Sequence, residues 1–227
     1  MPSGLRSVVL YGSAAAGDHI AGRSDYNVLV VADRLGVAEL DAISRPASAW
    51  ARAGNRPPLL FTREELAASA DSFPIELLDM QQSRRVLFGE DPLADVTVRP
   101  ECLRLELERD LKAKLLQVRE RYVLTRGRPA AVAALMASSA SSFLALCRAA
   151  LRLYAGDAPA RKLDAATALA QRIGFDPDVF TLVHEMKEGR RKPREAAARF
   201  GEYLNVIEQI VDAVDRRFRD SSSGETR

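Results

Sequence analysis

Two short runs hold the residue types best suited to chemistry: Gly12-Ser13-Ala14-Ala15-Ala16-Gly17, and Ser24-Asp25-Tyr26-Asn27 leading into Val28-Leu29-Val30-Val31. A Gly-Ser turn between a strand and a short helix offers backbone N–H groups and a hydroxyl to a phosphate, and Gly17 permits a tight exit. Asp25 and Asn27 stand two residues apart on the following strand, so both side chains leave the same face beside that turn. Oxygen ligands held beside a phosphate cradle suit Mg²⁺ together with a nucleoside triphosphate.

The elements that must position these residues are legible around them. Leu5 to Tyr11 and Tyr26 to Ala32 are Val- and Leu-rich runs that end at polar or turn residues, the pattern of buried strands. The stretch between them is too short and Gly-rich for a full crossover helix. Val37 to Ala53 predicts an amphipathic helix closed by Gly54, Asn55 and the Pro57–Pro58 pair. Leu59 to Phe61 predicts a strand, and Thr62 with Glu65 forms a capping-box pattern for a helix after it. Ile75 to Met80 and Arg85 to Phe88 predict two further strands. From Pro100 the pattern turns helical: leucines recur from Leu103 to Leu116, Pro129 opens a second helix stopped at Gly156, and later helices cover about 160–173, 178–187 and 193–219. These readings give an α+β chain, with a mixed sheet and flanking helices over residues 1–96, a helical bundle over 97–220, and a disordered polar tail over 221–227.

The totals narrow the function classes. A net charge of +2, a hydrophobic fraction of 47% and a charged fraction of 28% are ordinary for a globular protein and give no case for a nucleic-acid partner. Through Val96 there are nine Lys/Arg and 13 Asp/Glu, against 24 and 18 afterwards, so an acidic first part precedes a basic second part. Cys102 and Cys147 lie in apolar helical contexts without metal-ligand spacing, which predicts reduced core residues. The start of the chain lacks an export pattern and no apolar stretch reads as long enough to cross a bilayer, so a cytoplasmic protein without a membrane partner is expected.

The spacing of Gly12, Ser13, Gly17, Ser24 and Asp25 resembles the signature of the DNA polymerase β-like nucleotidyltransferase superfamily. A helical bundle after such a domain is similar in layout to the aminoglycoside nucleotidyltransferases. The resemblance implies that Gly12, Ser13, Gly17 and Ser24 contact a nucleotide and that Asp25 is a catalytic metal ligand. It implies Glu76 as a third carboxylate on a later strand, with Asp79 a weaker candidate on that strand's opposite face. It implies a nucleoside triphosphate and Mg²⁺ as partners, with a nucleoside monophosphate moved to a hydroxyl-bearing acceptor. Asn27 departs from the pattern, which expects Asp or Glu. Its amide oxygen can still meet a metal, but the lost charge weakens binding and transition-state stabilisation, at a cost in rate of ~10²–10³. The rival readings are an inactive nucleotide-binding or regulatory protein on the same fold, and a structural protein whose bundle forms a homodimer.

Other candidates carry less. Asp18 and His19 follow the Gly-Ser turn and read as helix-end and loop residues. His184 has Arg172 too far upstream for a ribonuclease pair. Arg190, Arg191, Lys192 and Arg194 read as a solvated loop. Arg109, Lys112, Lys114 and Arg119 offer cations along the first bundle helix, and the sequence does not choose among them. Trp50 and Tyr122 read as core or half-buried aromatics.

Overall fold

The computed structural model describes residues 4–16 and 25–223, with side chains through residue 216. The chain divides into two compact units, Met1–Leu103 and Arg104–Arg227, each described separately below.

In the first unit, β1 (Leu5–Tyr11), β2 (Asn27–Ala32), β3 (Leu59–Thr62) and β4 (Arg84–Gly89) form one mixed sheet in the order β3-β2-β1-β4. β1 is antiparallel to β2 and to β4, whereas β2 and β3 run parallel. The parallel pair requires a crossover, supplied by α2 (Val37–Arg52). α1 (Ser13–Ala16) is a single turn directly after β1. α3 (Arg63–Ala68) and α4 (Pro74–Gln82) separate β3 from β4. One sheet face contributes Val9, Leu29 and Val31 to a core with Leu66 of α3, Leu77 and Met80 of α4, and Leu93.

Local chemistry explains the boundaries. Thr62 accepts from the Glu65 N–H at 3.2 Å while the Glu65 carboxylate accepts from the Thr62 N–H at 2.8 Å, completing the capping box. Beyond α4, Gln81 Nε2 donates to the Leu93 and Val96 carbonyls at 2.9 and 2.6 Å and ties that segment to the core.

The expected strand over Ile75 to Met80 is instead part of helix α4. Pro74 stands at the start, where its missing N–H costs nothing, and Glu76 lies in the first turn, where its charge meets the helix dipole favourably. Pro74, Leu77 and Met80 are buried at three-residue spacing, a helical rather than an alternating pattern.

The second unit holds six helices among the described residues: α5 (Pro100–Thr125, which starts in the first unit), α6 (Pro129–Ala155), α7 (Lys162–Ile173), α8 (Asp178–Lys187), α9 (Pro193–Ala198) and α10 (Phe200–Ser223). The single helix expected from Pro193 is broken at Arg199, whose backbone leaves helical geometry. α10 reaches Ser223, past the expected start of the tail at 221. Leu107, Leu111, Leu115 and Val118 make the buried stripe of α5. Fully buried Tyr203 meets Phe143 and Phe180 edge-on at 6.2 and 5.9 Å between centroids, and its hydroxyl is 2.8 Å from Ser139 Oγ.

Contrary to expectation, α6 is long and apolar enough to cross a membrane by length and composition. It is also the central helix of this unit: Met136, Ala140, Phe143, Cys147 and Leu151 are buried, and α7, α8, α9 and α10 pack on it. Neither cysteine is in a disulfide; Cys102 is half-buried and Cys147 is buried. Burial pushes the Cys147 thiol up to about 12, so its reactive thiolate is absent near neutral pH. A thiol reagent at pH 8 is therefore expected to label Cys102 in the native protein and Cys147 only after denaturation. Mass spectrometry of the labelled peptides checks this, and rapid native labelling of Cys147 would contradict it.

Candidate functional site

The candidate site is built around the end of β1. Gly12 follows Tyr11 with φ of +77°, a left-handed conformation that side chains with a Cβ adopt at a cost. Its N–H donates to the Ser83 carbonyl at 2.9 Å, and its carbonyl accepts from the N–H groups of Ala15 and Ala16, both at 3.0 Å. The turn is thus fastened to the end of α4 on one side and closes the one-turn helix α1 on the other. A Cβ placed on Gly12 would stand 3.3 Å from Asn27 Nδ2, so the same position needs glycine for space as well as for backbone conformation. Ser13 is half-buried, and its hydroxyl has no partner among the described residues.

Sheet register places the remaining groups. Tyr11 lies opposite Asn27 on β2 and opposite Arg84 on β4, so Asn27, Tyr11 and Arg84 form a polar row at the end of the sheet's core face. Asp25 precedes that row on the approach to β2 and is exposed. Its carboxylate pairs with Arg56, Nε to Oδ2 at 3.3 Å. Arg56 was not singled out from sequence. It follows α2 in a Gly-Asn-Arg-Pro-Pro loop that is anchored on both flanks. Trp50 Nε1 donates to the Arg56 carbonyl at 2.9 Å, and the Tyr26 N–H donates to Asn55 Oδ1 at 3.2 Å. The Tyr26 and Trp50 rings lie 6.0 Å apart, tilted. No motif could have flagged this arginine, because its placement comes from the loop's anchors.

Glu76 reaches the neighbourhood from a helix rather than from a strand. Burial raises the Tyr11 phenol above its ordinary pKa, Arg56 opposes this and Glu76 adds to it, which puts both charges within electrostatic range of Tyr11. The reason for setting Asp79 aside also falls, since residues three apart on a helix are neighbours on one face. The later strand that flanks the site is β4, Arg84-Arg85-Val86-Leu87-Phe88-Gly89, and it carries no carboxylate. Arg84 pairs with Asp91 at 2.8 Å and also donates to the Gln81 carbonyl. Gly17 and Ser24, and with them Asp18 and His19, lie outside the described residues.

The set offers a cation, among the described residues, one strand-end carboxylate, one neutral amide and one carboxylate from a helix. Among the described residues no three His, Cys, Asp or Glu side chains gather as a metal ion requires. Asp25 shares its charge with Arg56, Asn27 is neutral, and Glu76 belongs to a separate helix. A dication about 4 Å from the guanidinium would meet repulsion of ~2 kcal/mol at the dielectric of water and several times that in a less polar surround. The Asp25–Arg56 pair is itself exposed, 45% and 77% at the side chains, and such pairs contribute about 0–1 kcal/mol. It opens readily, so it holds neither Asp25 nor Arg56 back from another partner.

No family model and no curated protein sequence matches the chain. Among solved structures, it is similar to a spectinomycin adenyltransferase from Enterococcus faecialis, a structure with ATP and spectinomycin. The TM-score is 0.59 at 12% identity, covering 94% of this chain and 93% of that one. The fold is nucleotidyltransferase-like. At that identity the likeness extends over both units while leaving the site residues to be judged on their own chemistry.

The basic cluster near residue 190 is a solvated one. Arg190 pairs with Glu188 and Glu185, and Arg191 with Glu185 at 3.0 Å and Glu195 at 3.7 Å. For the turn itself, Gly12→Ala is expected to destabilise the first unit by about 1–2 kcal/mol, the cost of a left-handed conformation for a residue with Cβ. Urea unfolding measures it, and a loss below about 0.3 kcal/mol would show that the turn relaxes freely.

Proposed function

We propose that this chain binds a nucleoside triphosphate on the Gly12–Ser13 turn and acts as a nucleotide-binding or regulatory protein on a nucleotidyltransferase-like fold. The observation that carries this reading is the Asp25–Arg56 pair beside Asn27. Backbone donors and the Ser13 hydroxyl would take phosphate oxygens, and Arg56 would leave Asp25 to neutralise them. In this reading Gly17 and Ser24 complete the nucleotide contacts.

The second reading is transfer of a nucleoside monophosphate to a hydroxyl acceptor. It is favoured by the likeness to an adenyltransferase over 94% of this chain, and by the retention of Ser13 and Asp25. It requires Asp25, Asn27 and Glu76 to hold Mg²⁺. The chemistry Mg²⁺ supplies is neutralisation of triphosphate charge, and the present set offers it a guanidinium-paired carboxylate and a neutral amide.

Two measurements on the full chain separate the readings. Calorimetric titration of ATP and GTP in EDTA is expected to show saturable binding, and the Asn27→Asp variant is expected to release no pyrophosphate with Mg²⁺. Binding that disappears in EDTA, with Mg²⁺-dependent pyrophosphate release rising ~10²-fold in Asn27→Asp, would replace the binding reading with the transfer reading.

A further inference from the structure

We propose that a cavity between α5 and α6 in the second unit binds the phosphate group of a small phosphomonoester, at a site separate from the Gly12–Ser13 turn. The cavity has a volume of about 240 Å³ and lies wholly within that unit. Lys114, Gln117 and Arg121 line it from α5, and Ser138, Ser139 and Ser142 from α6. Val118, Leu135 and Phe143 supply its apolar surface.

The spacing puts the polar lining on one face of each helix. Lys114, Gln117 and Arg121 recur at intervals of three and four, as do Ser138 and Ser142, so each set lies along one stripe of its helix. No carboxylate lines the cavity. The other basic residues of α5 all have acidic partners: Arg104 with Glu108, Arg109 with Glu106 and Asp110, Lys112 with Glu108 and Asp215, and Arg119 with Glu208. Lys114 and Arg121 have none among the described residues, and both line the same cavity. Lys114 and Ser142 are half-buried and Gln117 and Arg121 are exposed, so these groups are served by water that a ligand would displace. Ser139 is already committed, donating to the Leu135 carbonyl at 2.8 Å and lying 2.8 Å from Tyr203 Oη. That bond anchors the wall to the buried aromatic cluster.

Two cations and two neutral donors without a competing acid form the donor set that a dianionic phosphate requires. The volume is below the 300–1,000 Å³ usual for larger ligands, which limits the body to a few carbons against Phe143, Leu135 and Val118.

The test is calorimetric titration of the full chain at constant ionic strength with inorganic phosphate and with glycerol 3-phosphate. Wild type and Arg56→Ala are compared, each with and without Lys114→Met or Arg121→Met, with thermal unfolding confirming that each variant folds. Methionine keeps the aliphatic stem and the helix propensity. The expected result is saturable binding, tighter for the ester than for free phosphate, and weakened at least tenfold by either methionine substitution, in wild type and equally in the Arg56→Ala background, where the first unit's own phosphate contact is removed. Three results would overturn the proposal: no saturable binding, wild-type affinity in both methionine variants, or a loss confined to Arg56→Ala, which would assign the anion to the first unit. Equal affinity for phosphate and ester would remove the organic body from it.

Discussion

The left-handed backbone at Gly12 holds the candidate site together because three separate pieces of chain depend on it. Its N–H is bonded to Ser83 at the end of α4, its carbonyl starts α1, and its bare Cα leaves room for the Asn27 amide from β2. A side chain here would strain the turn and press on Asn27 together. The sheet register then fixes the rest: once Tyr11 is opposite Asn27 and Arg84, the polar ends of β1, β2 and β4 lie in one row above the Leu29, Leu66 and Leu77 core.

On this frame the charge balance differs from that of a metal-dependent centre. One carboxylate, Asp25, is met by one guanidinium, Arg56, and the neighbouring position is the neutral Asn27. Among the described residues the strand ends are close to neutral, with Glu76 acting at longer range through the field that reaches Tyr11. Because the Asp25–Arg56 pair is exposed and weak, an anion can take Arg56 at little cost.

Much of the fold was legible because its signals are local. The Val-rich runs of β1 and β2, the Thr62–Glu65 box and the leucine stripe of α5 each depend on a few neighbouring residues. Glu76 was placed on the wrong kind of element because Ile75-Glu76-Leu77-Leu78 is short and apolar, which periodicity alone cannot assign; the decisive cue was Pro74 in front of it. In α6 serines and Arg148 and Arg152 interrupt the apolar run, yet the helix as a whole remains apolar. Arg56, and the choice of Lys114 among the cations of α5, depend on something else: which partners are near in space, and only the folded chain supplies those.

The central claim, that Arg56 rather than a metal pair supplies the positive charge for a triphosphate on the Gly12 turn, is tested most directly by titrating ATP into wild type and Arg56→Ala in EDTA at fixed ionic strength. The affinity of Arg56→Ala is expected to fall at least tenfold, the loss of one charge-assisted phosphate contact. Equal affinity in the two proteins would contradict the claim and leave Arg56 as a surface partner of Asp25 alone.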